Sequence, residues 1–251
     1  MMPDSKQRFT NRVADYVKYR PRYPEAVLEF LQDELGLTTK SVIADVGSGT
    51  GLLAELFLKN GNVVYGIEPN QAMRAAAEEV LAGYAHFRSV DGAAEATTLP
   101  PASVDFVTAG QAFHWFEPAP TRQEFGRILK PGGWVALVWN AWKAEASPFL
   151  AAYEHLLETY APDRHLVNRR NVTHQTFQEF FGDYHQATFT NEQRFDFAGL
   201  QGRLLSSSYA PLPDHPHHTP MLADLRHIFE EYHVAGQVRF EYDTEVYYGQ
   251  L

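Results

Sequence analysis

The chain has 251 residues, 45% of them hydrophobic and 14% aromatic, which is enough for a sizeable core and excludes an intrinsically disordered protein. It contains no cysteine, which excludes a disulfide framework, a thiolate metal site and a cysteine nucleophile. Its formal net charge of −10, with no Lys/Arg-rich block, opposes a nucleic-acid partner. No run approaches the ~18 consecutive apolar residues of a membrane span, so the expectation is a soluble, cytoplasmic protein with no membrane partner.

Pro24 opens the first helix, with Val27, Leu28, Leu31 and Leu35 on one face and Gly36 where a C-terminal cap belongs. Residues 41–46 form an apolar strand buried on both faces, followed by a glycine-rich turn and a helix over 52–59 that Asn60 and Gly61 close. A second strand is expected over 63–67, a helix over 71–81, a third strand over 85–90 and a fourth over 104–108. A helix over 121–129 is stopped by Pro131-Gly132-Gly133, and a fifth strand covers 134–139. Continuous apolar strands separated by helices mean a parallel sheet covered on both faces, a doubly wound α/β unit.

Beyond Asn140 the rhythm changes. Helices are expected over 149–160 and 176–181, a long strand over 186–197, and more helix between 200 and 234 around a Pro- and His-rich loop at 210–220. Residues 238–248 alternate Val238, Phe240 and Tyr242 with Arg239, Glu241 and Asp243, as an antiparallel strand does. The sequon Asn171-Val172-Thr173 is taken as chance, because no secretion signal accompanies it.

The chemistry concentrates at Asp45-Val46-Gly47-Ser48-Gly49-Thr50-Gly51. A buried strand ends here in a tight turn that glycines permit, so the backbone can approach a ligand closely. A dinucleotide fingerprint wants a further glycine where Leu52 stands. A carboxylate at Asp45 would also sit badly beside a pyrophosphate, whereas a ligand carrying an ammonium and no phosphate suits it. Glu68, at the end of the second strand, is placed to accept both hydroxyls of a ribose.

These residues resemble motif I of the class I S-adenosylmethionine-dependent methyltransferases, and Gly66-Ile67-Glu68-Pro69 resembles the acidic second motif of that family. Asp91-Gly92-Ala93-Ala94-Glu95 with Leu99-Pro100 resembles its adenine segment. Gln111-Ala112-Phe113-His114-Trp115-Phe116 is similar to the end of the fourth strand in a small-molecule branch that includes trans-aconitate methyltransferase-like proteins, and Leu129-Lys130-Pro131-Gly132-Gly133 resembles the turn before its fifth strand. The resemblance runs from about Phe9 to Asn140. It implies S-adenosyl-L-methionine as cofactor, S-adenosyl-L-homocysteine as product, a small-molecule methyl acceptor, and a Rossmann-like, doubly wound seven-stranded α/β sheet with the last strand antiparallel and a mostly helical cap. The chain would divide into a lid and helix over 1–40, a cofactor-binding core over 41–145, a cap over 146–235 that includes one core strand, and the final strand over 236–251.

By the same resemblance, Gly47, Ser48 and Gly49 line the methionine portion, Asp45 orients its amino group, and Glu68 with Pro69 holds the ribose. Ala94 offers its backbone N–H to the adenine with Glu95 nearby, and Gln111 lies beneath the sulfonium. The segment 16–24, rich in aromatics and arginines, resembles a lid. Arg20 would pair with the methionine carboxylate or a substrate carboxylate, and Tyr16 or Tyr19 would face the sulfonium. His114 is the candidate general base, with packing against Trp115 as its other role. His215, His217 and His218 lack the spacing of a metal site, so no metal is expected. Two other functions stay open at this point: an NAD(P)-dependent oxidoreductase, and a protein that binds S-adenosylmethionine without transferring its methyl.

Overall fold

The computed structural model describes residues 13–161 and 172–251, so Asn171 of the sequon lies outside the described residues. Seven strands form one sheet in the order β3-β2-β1-β4-β5-β7-β6. They are β1 (Val42–Val46), β2 (Val63–Ile67), β3 (Phe87–Val90), β4 (Val104–Gly110), β5 (Leu129–Trp142), β6 (His185–Phe195) and β7 (Val238–Gly249). β1 to β5 pair in parallel, and β7 enters antiparallel between β5 and β6. Nine α-helices are described: α1 (Val13–Tyr19), α2 (Glu25–Leu35), α3 (Ala54–Lys59), α4 (Gln71–Val80), α5 (Pro118–Ile128), α6 (Pro148–Tyr160), α7 (His174–Phe181), α8 (Phe197–Leu205) and α9 (His218–Tyr232). Among the described residues no helix is long and apolar enough to cross a membrane.

Alternate strand residues feed opposite faces of the sheet. Ile43, Val64, Phe106, Ala136 and Val138 pack under α2 and α3, against Val27, Leu31 and Phe57. Ala44, Val46, Val107, Val135 and Leu137 face the other way, against Phe125 and Ile128 of α5 and Phe177, Phe180 and Phe181 of α7. Each fully buried Leu, Ile or Phe stabilises the fold by about 1.5–3 kcal/mol relative to exposure. A third cluster makes the cap: Phe149, Tyr153 and Leu157 of α6 meet Leu200 and Leu204 of α8 and Met221 and Leu225 of α9. Val238, Phe240 and Tyr242 of β7 belong to that cap cluster, whereas Val246 and Tyr247 of the same strand belong to the two faces of the main core.

Several boundaries differ from the sequence-based expectation for identifiable reasons. The helix expected from residue 52 starts at Ala54, because Gly51 holds φ 84° and the turn runs on to Leu53. The helix expected from 176 starts at His174: Thr173 and Thr176 form a reciprocal capping box, each side chain accepting the other's backbone N–H. The strand expected from 134 starts at Leu129, which pairs with Val104 before the Pro131–Gly133 excursion, and regular pairing resumes at Phe106 with Trp134.

Candidate functional site

Strand order reverses at β1, which has β2 on one side and β4 on the other. In open α/β sheets the crevice beyond the carboxyl ends of such strands is where ligands bind. A cleft with about 800 Å³ of empty space, part of it open solvent, lies there. Gly47 and Gly49 from the β1 turn, Glu68 and Pro69 from the end of β2, Ala94 and Glu95 from the loop after β3, and Gln111 from the end of β4 all line it. Tyr16 of α1 lines it from above the β1 turn's neighbours, together with Trp115 and Phe116.

The turn is pinned by backbone bonds. The N–H groups of Gly47 and Ser48 both donate to the Ile67 carbonyl, at 2.8 and 3.1 Å, and Gly51 N–H donates to Ser48 O at 2.8 Å. Gly47 holds φ 65°, and a Cβ there would stand 2.6 Å from Ala112 Cβ and 3.2 Å from the Phe116 ring. Only glycine fits this crossing. Gly49 also has positive φ but faces open space, as a wall beside a ligand does.

Asp45 is fully buried in β1. Thr108 Oγ1, on the adjacent β4, donates to its Oδ1 at 3.1 Å, whereas Oδ2 has no hydrogen-bond partner among the described residues. Burial is the main cause that raises its pKa from 3.8 to about 7, with Thr108 and the Ala54 backbone pulling the other way and Glu68 adding to the rise. A buried carboxylate oxygen left unpaired costs roughly 1–3 kcal/mol or more; a ligand ammonium would relieve it. Glu68 is held ready differently. Its Oε2 accepts Gly49 N–H at 3.0 Å and its Oε1 accepts Asn70 N–H at 2.8 Å, while burial raises its pKa despite both bonds.

The loop after β3 is clamped from α5. Glu124 Oε1 accepts the Thr97 N–H at 2.8 Å and the Thr97 hydroxyl at 2.5 Å, and Arg127 donates to both Glu124 oxygens at 2.7 Å. Arg127 is the main cause that lowers the Glu124 pKa to about 2. Glu95 Oε1 accepts the Glu117 N–H at 3.0 Å, tying the same loop to the start of α5. Gln111 takes φ 58°, and its Nε2 donates to Asn140 O at 3.2 Å.

Five of the site residues singled out in the sequence, Asp45, Ser48, Tyr19, Arg20 and His114, stand outside the cleft lining. Ser48 spends its N–H on Ile67. Tyr19 packs its ring on Gly202 of α8, where a Cβ would fall 2.0 Å from the ring. Arg20 lies over the Tyr16 ring at 5.1 Å and donates from Nη2 to Ser206 O at 3.0 Å. His114 sits in a 3-10 turn, Phe113–Trp115, with its ring 5.0 Å from that of Trp115; its neighbours Ala112, Trp115 and Phe116 line the cleft. Arg22 pairs with Glu55 of α3. Among the described residues no group of three or more His, Asp or Glu side chains could hold a metal.

Thr108, Thr97, Glu124 and Arg203 of α8 were missed by the sequence reading. Each carries a signal: Thr108 is a lone hydroxyl inside the apolar run of β4, and Arg203 stands between Leu200 and Leu204 on the buried side of α8.

A Rossmann-like sheet with an acid on β1, a glycine turn and a second acid closing β2 is an arrangement in which open α/β sheets take nucleoside-type ligands. The comparisons specify the class further. A methyltransferase-domain family model matches residues 44–137. An uncharacterized methyltransferase of Schizosaccharomyces pombe is 30% identical over 79% of this chain and 77% of its own length. An uncharacterized methyltransferase of Mycobacterium bovis is 35% identical over 55% of this chain and 54% of its own. Among solved structures, one described as a type II methyltransferase from Anaeromyxobacter dehalogenans superposes with a TM-score of 0.70 at 21% identity, covering 92% of this chain and 98% of that one. The chain belongs to the class I S-adenosylmethionine-dependent methyltransferases.

Proposed function

We propose that the chain transfers the methyl group of S-adenosyl-L-methionine to a small-molecule acceptor in the cleft at the β1/β4 switch point. The observation that carries this reading is the unpartnered, buried Oδ2 of Asp45 beside a glycine turn that a Cβ would fill: an ammonium is wanted there and a phosphate is not. When bound, the cofactor supplies a methyl carbon on a sulfonium, whose C–S bond breaks with its electron pair going to sulfur as the bond to the acceptor forms.

The residues do the positioning. Asp45 receives the ammonium, Gly47 and Gly49 allow close approach of the backbone, and Glu68 accepts the ribose hydroxyls while Gly49 and Asn70 hold its carboxylate in place. Ala94 meets the adenine from a loop fixed by Glu124. Tyr16 places an aromatic face over the cleft, suited to a sulfonium, and Arg20 stacks on Tyr16 at the edge where the methionine carboxylate would lie. Alignment and exclusion of water are the main work of such a site. Of the divisions 1–40, 41–145, 146–235 and 236–251, we read 13–40 as lid and first helix, 41–145 as cofactor core, 146–161 with 172–235 as cap and acceptor region, and 236–251 as closing strand; residues 1–12 and 162–171 lie outside the described residues. The formal net charge of −10 favours a small acceptor over a nucleic acid.

Calorimetric titration with S-adenosylhomocysteine, and with NADH in parallel, tests the cofactor assignment. Micromolar binding of S-adenosylhomocysteine alone is expected, weakened about 10–100-fold by Glu68→Ala through loss of charge-assisted hydrogen bonds. Binding of NADH, or of neither, would refute it. A hydroxyl or amine acceptor must also lose a proton, and His114, whose neighbour Trp115 lines the cleft, is the candidate base. His114→Ala is then expected to lower turnover about 100-fold or more with little change in S-adenosylhomocysteine affinity. Unchanged turnover removes His114 from the mechanism.

A further inference from the structure

The guanidinium groups of Arg20 and Arg203 lie near enough to repel each other, and among the described residues no carboxylate is paired with either. Arg203 is 2% exposed. Its Nε approaches the Tyr242 hydroxyl at 3.4 Å and its Nη1 the Ser207 hydroxyl at 3.3 Å, both long bonds to neutral groups. Nη2 makes no hydrogen bond among the described residues. The rings of Trp142 and Phe240 stand 5.6 and 5.7 Å from the guanidinium carbon. Arg20 is close enough that the two cations repel, and its Nε is buried without a partner. The surrounding polar groups are phenols: Tyr153, with a buried and unpartnered hydroxyl, and Tyr242, whose hydroxyl donates to Gln193 Oε1 at 2.9 Å, with Tyr209 facing both arginines.

Buried charges are ordinarily paired, because desolvating a lone ion is expensive. A structure that keeps two of them side by side needs two anions to become neutral. The cofactor brings one, the methionine carboxylate, and Arg20 stacked on cleft-lining Tyr16 is the nearer of the two to it. The second cation lies deeper in the cap, among apolar rings and neutral donors, and the cofactor has no second carboxylate to offer.

We propose that Arg203 anchors a single carboxylate of the methyl acceptor, whose remaining body is uncharged and apolar. The inference rests on the methyltransferase reading of the neighbouring cleft. The anchored carboxylate fixes the orientation of the acceptor against the cofactor cleft. One guanidinium ringed by phenols and a serine hydroxyl balances one negative charge, so a monoanion fits and a polyanion does not.

The test is calorimetric titration of the S-adenosylhomocysteine-saturated full chain with benzoate, phenylacetate and cinnamate, each against its amide, and with citrate. At least one monocarboxylate is expected to bind about tenfold or more tighter than its amide and than citrate. Arg203→Met should abolish that preference while S-adenosylhomocysteine affinity stays within about twofold, and Arg203→Lys should retain part of it. Because the arginine is unpaired without ligand, Arg203→Met should also melt no lower than wild type, whereas a purely structural arginine would melt lower. The proposal is overturned if wild type does not distinguish carboxylate from amide, if it prefers citrate, or if Arg203→Met keeps the preference. It is equally overturned if Arg203→Met loses S-adenosylhomocysteine to the extent that Arg20→Met is expected to, which would assign both arginines to the cofactor. Failure of wild type to bind S-adenosylhomocysteine would instead refute the reading of the cleft, and the two failures are read on separate titrations.

Discussion

Gly47→Ala is expected to abolish measurable S-adenosylhomocysteine binding and to destabilise the fold by roughly 2–5 kcal/mol, combining a left-handed backbone cost of ~1–2 with an overpacking cost of ~1–3. The new methyl would stand 2.6 Å from Ala112 Cβ, which is fixed to its own backbone and has no rotamer to escape through. Either the β1 turn or the 3-10 turn after β4 must move, and both carry cleft residues. Gly49→Ala is the internal control. Its φ of 55° imposes the backbone cost, but its Cβ meets nothing within 4 Å, so about 1–2 kcal/mol is expected. Urea denaturation of both variants checks the difference. Equal losses would mean that backbone conformation alone, and not the crossing with Ala112, requires glycine at 47.

The second large effect is a pH dependence set by Asp45. Its pKa in the folded chain is about 7 against an ordinary 3.8, so between those values the folded state holds a proton that the unfolded state has released. Stability without cofactor therefore falls as pH rises from about 4 to about 7 and levels above, by on the order of 4 kcal/mol from this group. Asp45→Asn should remove that slope and make the cofactor-free protein more stable than wild type at pH 8. Cofactor binding runs the opposite way. The ammonium needs the ionised carboxylate, so S-adenosylhomocysteine affinity should fall about tenfold per pH unit below 7, and Asp45→Asn should bind weakly with a flatter profile. Glu68, also raised by burial, acts in the same direction, and the Asp45→Asn comparison separates the two. Wild-type affinity that is constant from pH 5.5 to 8 would show that Asp45 does not meet the ammonium.

Much of this was visible in the amino-acid sequence. Asp45 and Glu68 are acids at the ends of otherwise apolar strands, and burial of such a strand places them at the switch point whatever the rest of the chain does. Gly36, expected as a helix cap, takes φ 69° and serves as one. The order of the last three strands was not legible, because period-two alternation in 238–248 says that a strand is half buried and not which neighbours it has. The groups around Arg203 and Thr97 were hidden for a related reason. Arg203 meets a tyrosine 39 residues away and Thr97 a glutamate 27 residues away, and no local pattern reports contacts that the tertiary fold creates. The aromatic and arginine segment 16–24 was recognisable as a group, but which ring faces the cleft depends on how α1 seats on Gly202.

The insertion of β7 between β5 and β6 has a consequence for how the chain matures. Among the described residues β6 pairs only with β7, so residues 185–195 have no strand partner among them until residues 238–249 have been synthesised. The strands from β1 to β5 can assemble on the ribosome in order of emergence, whereas the cap has to wait, since Val238, Phe240 and Tyr242 are part of its apolar cluster. Such long-range closure is slow relative to local contacts, and an unpaired strand is an aggregation hazard in the meantime. Chains released early from translation should therefore be the ones that chaperones retain, with a folded cofactor cradle and an exposed, unfinished acceptor side.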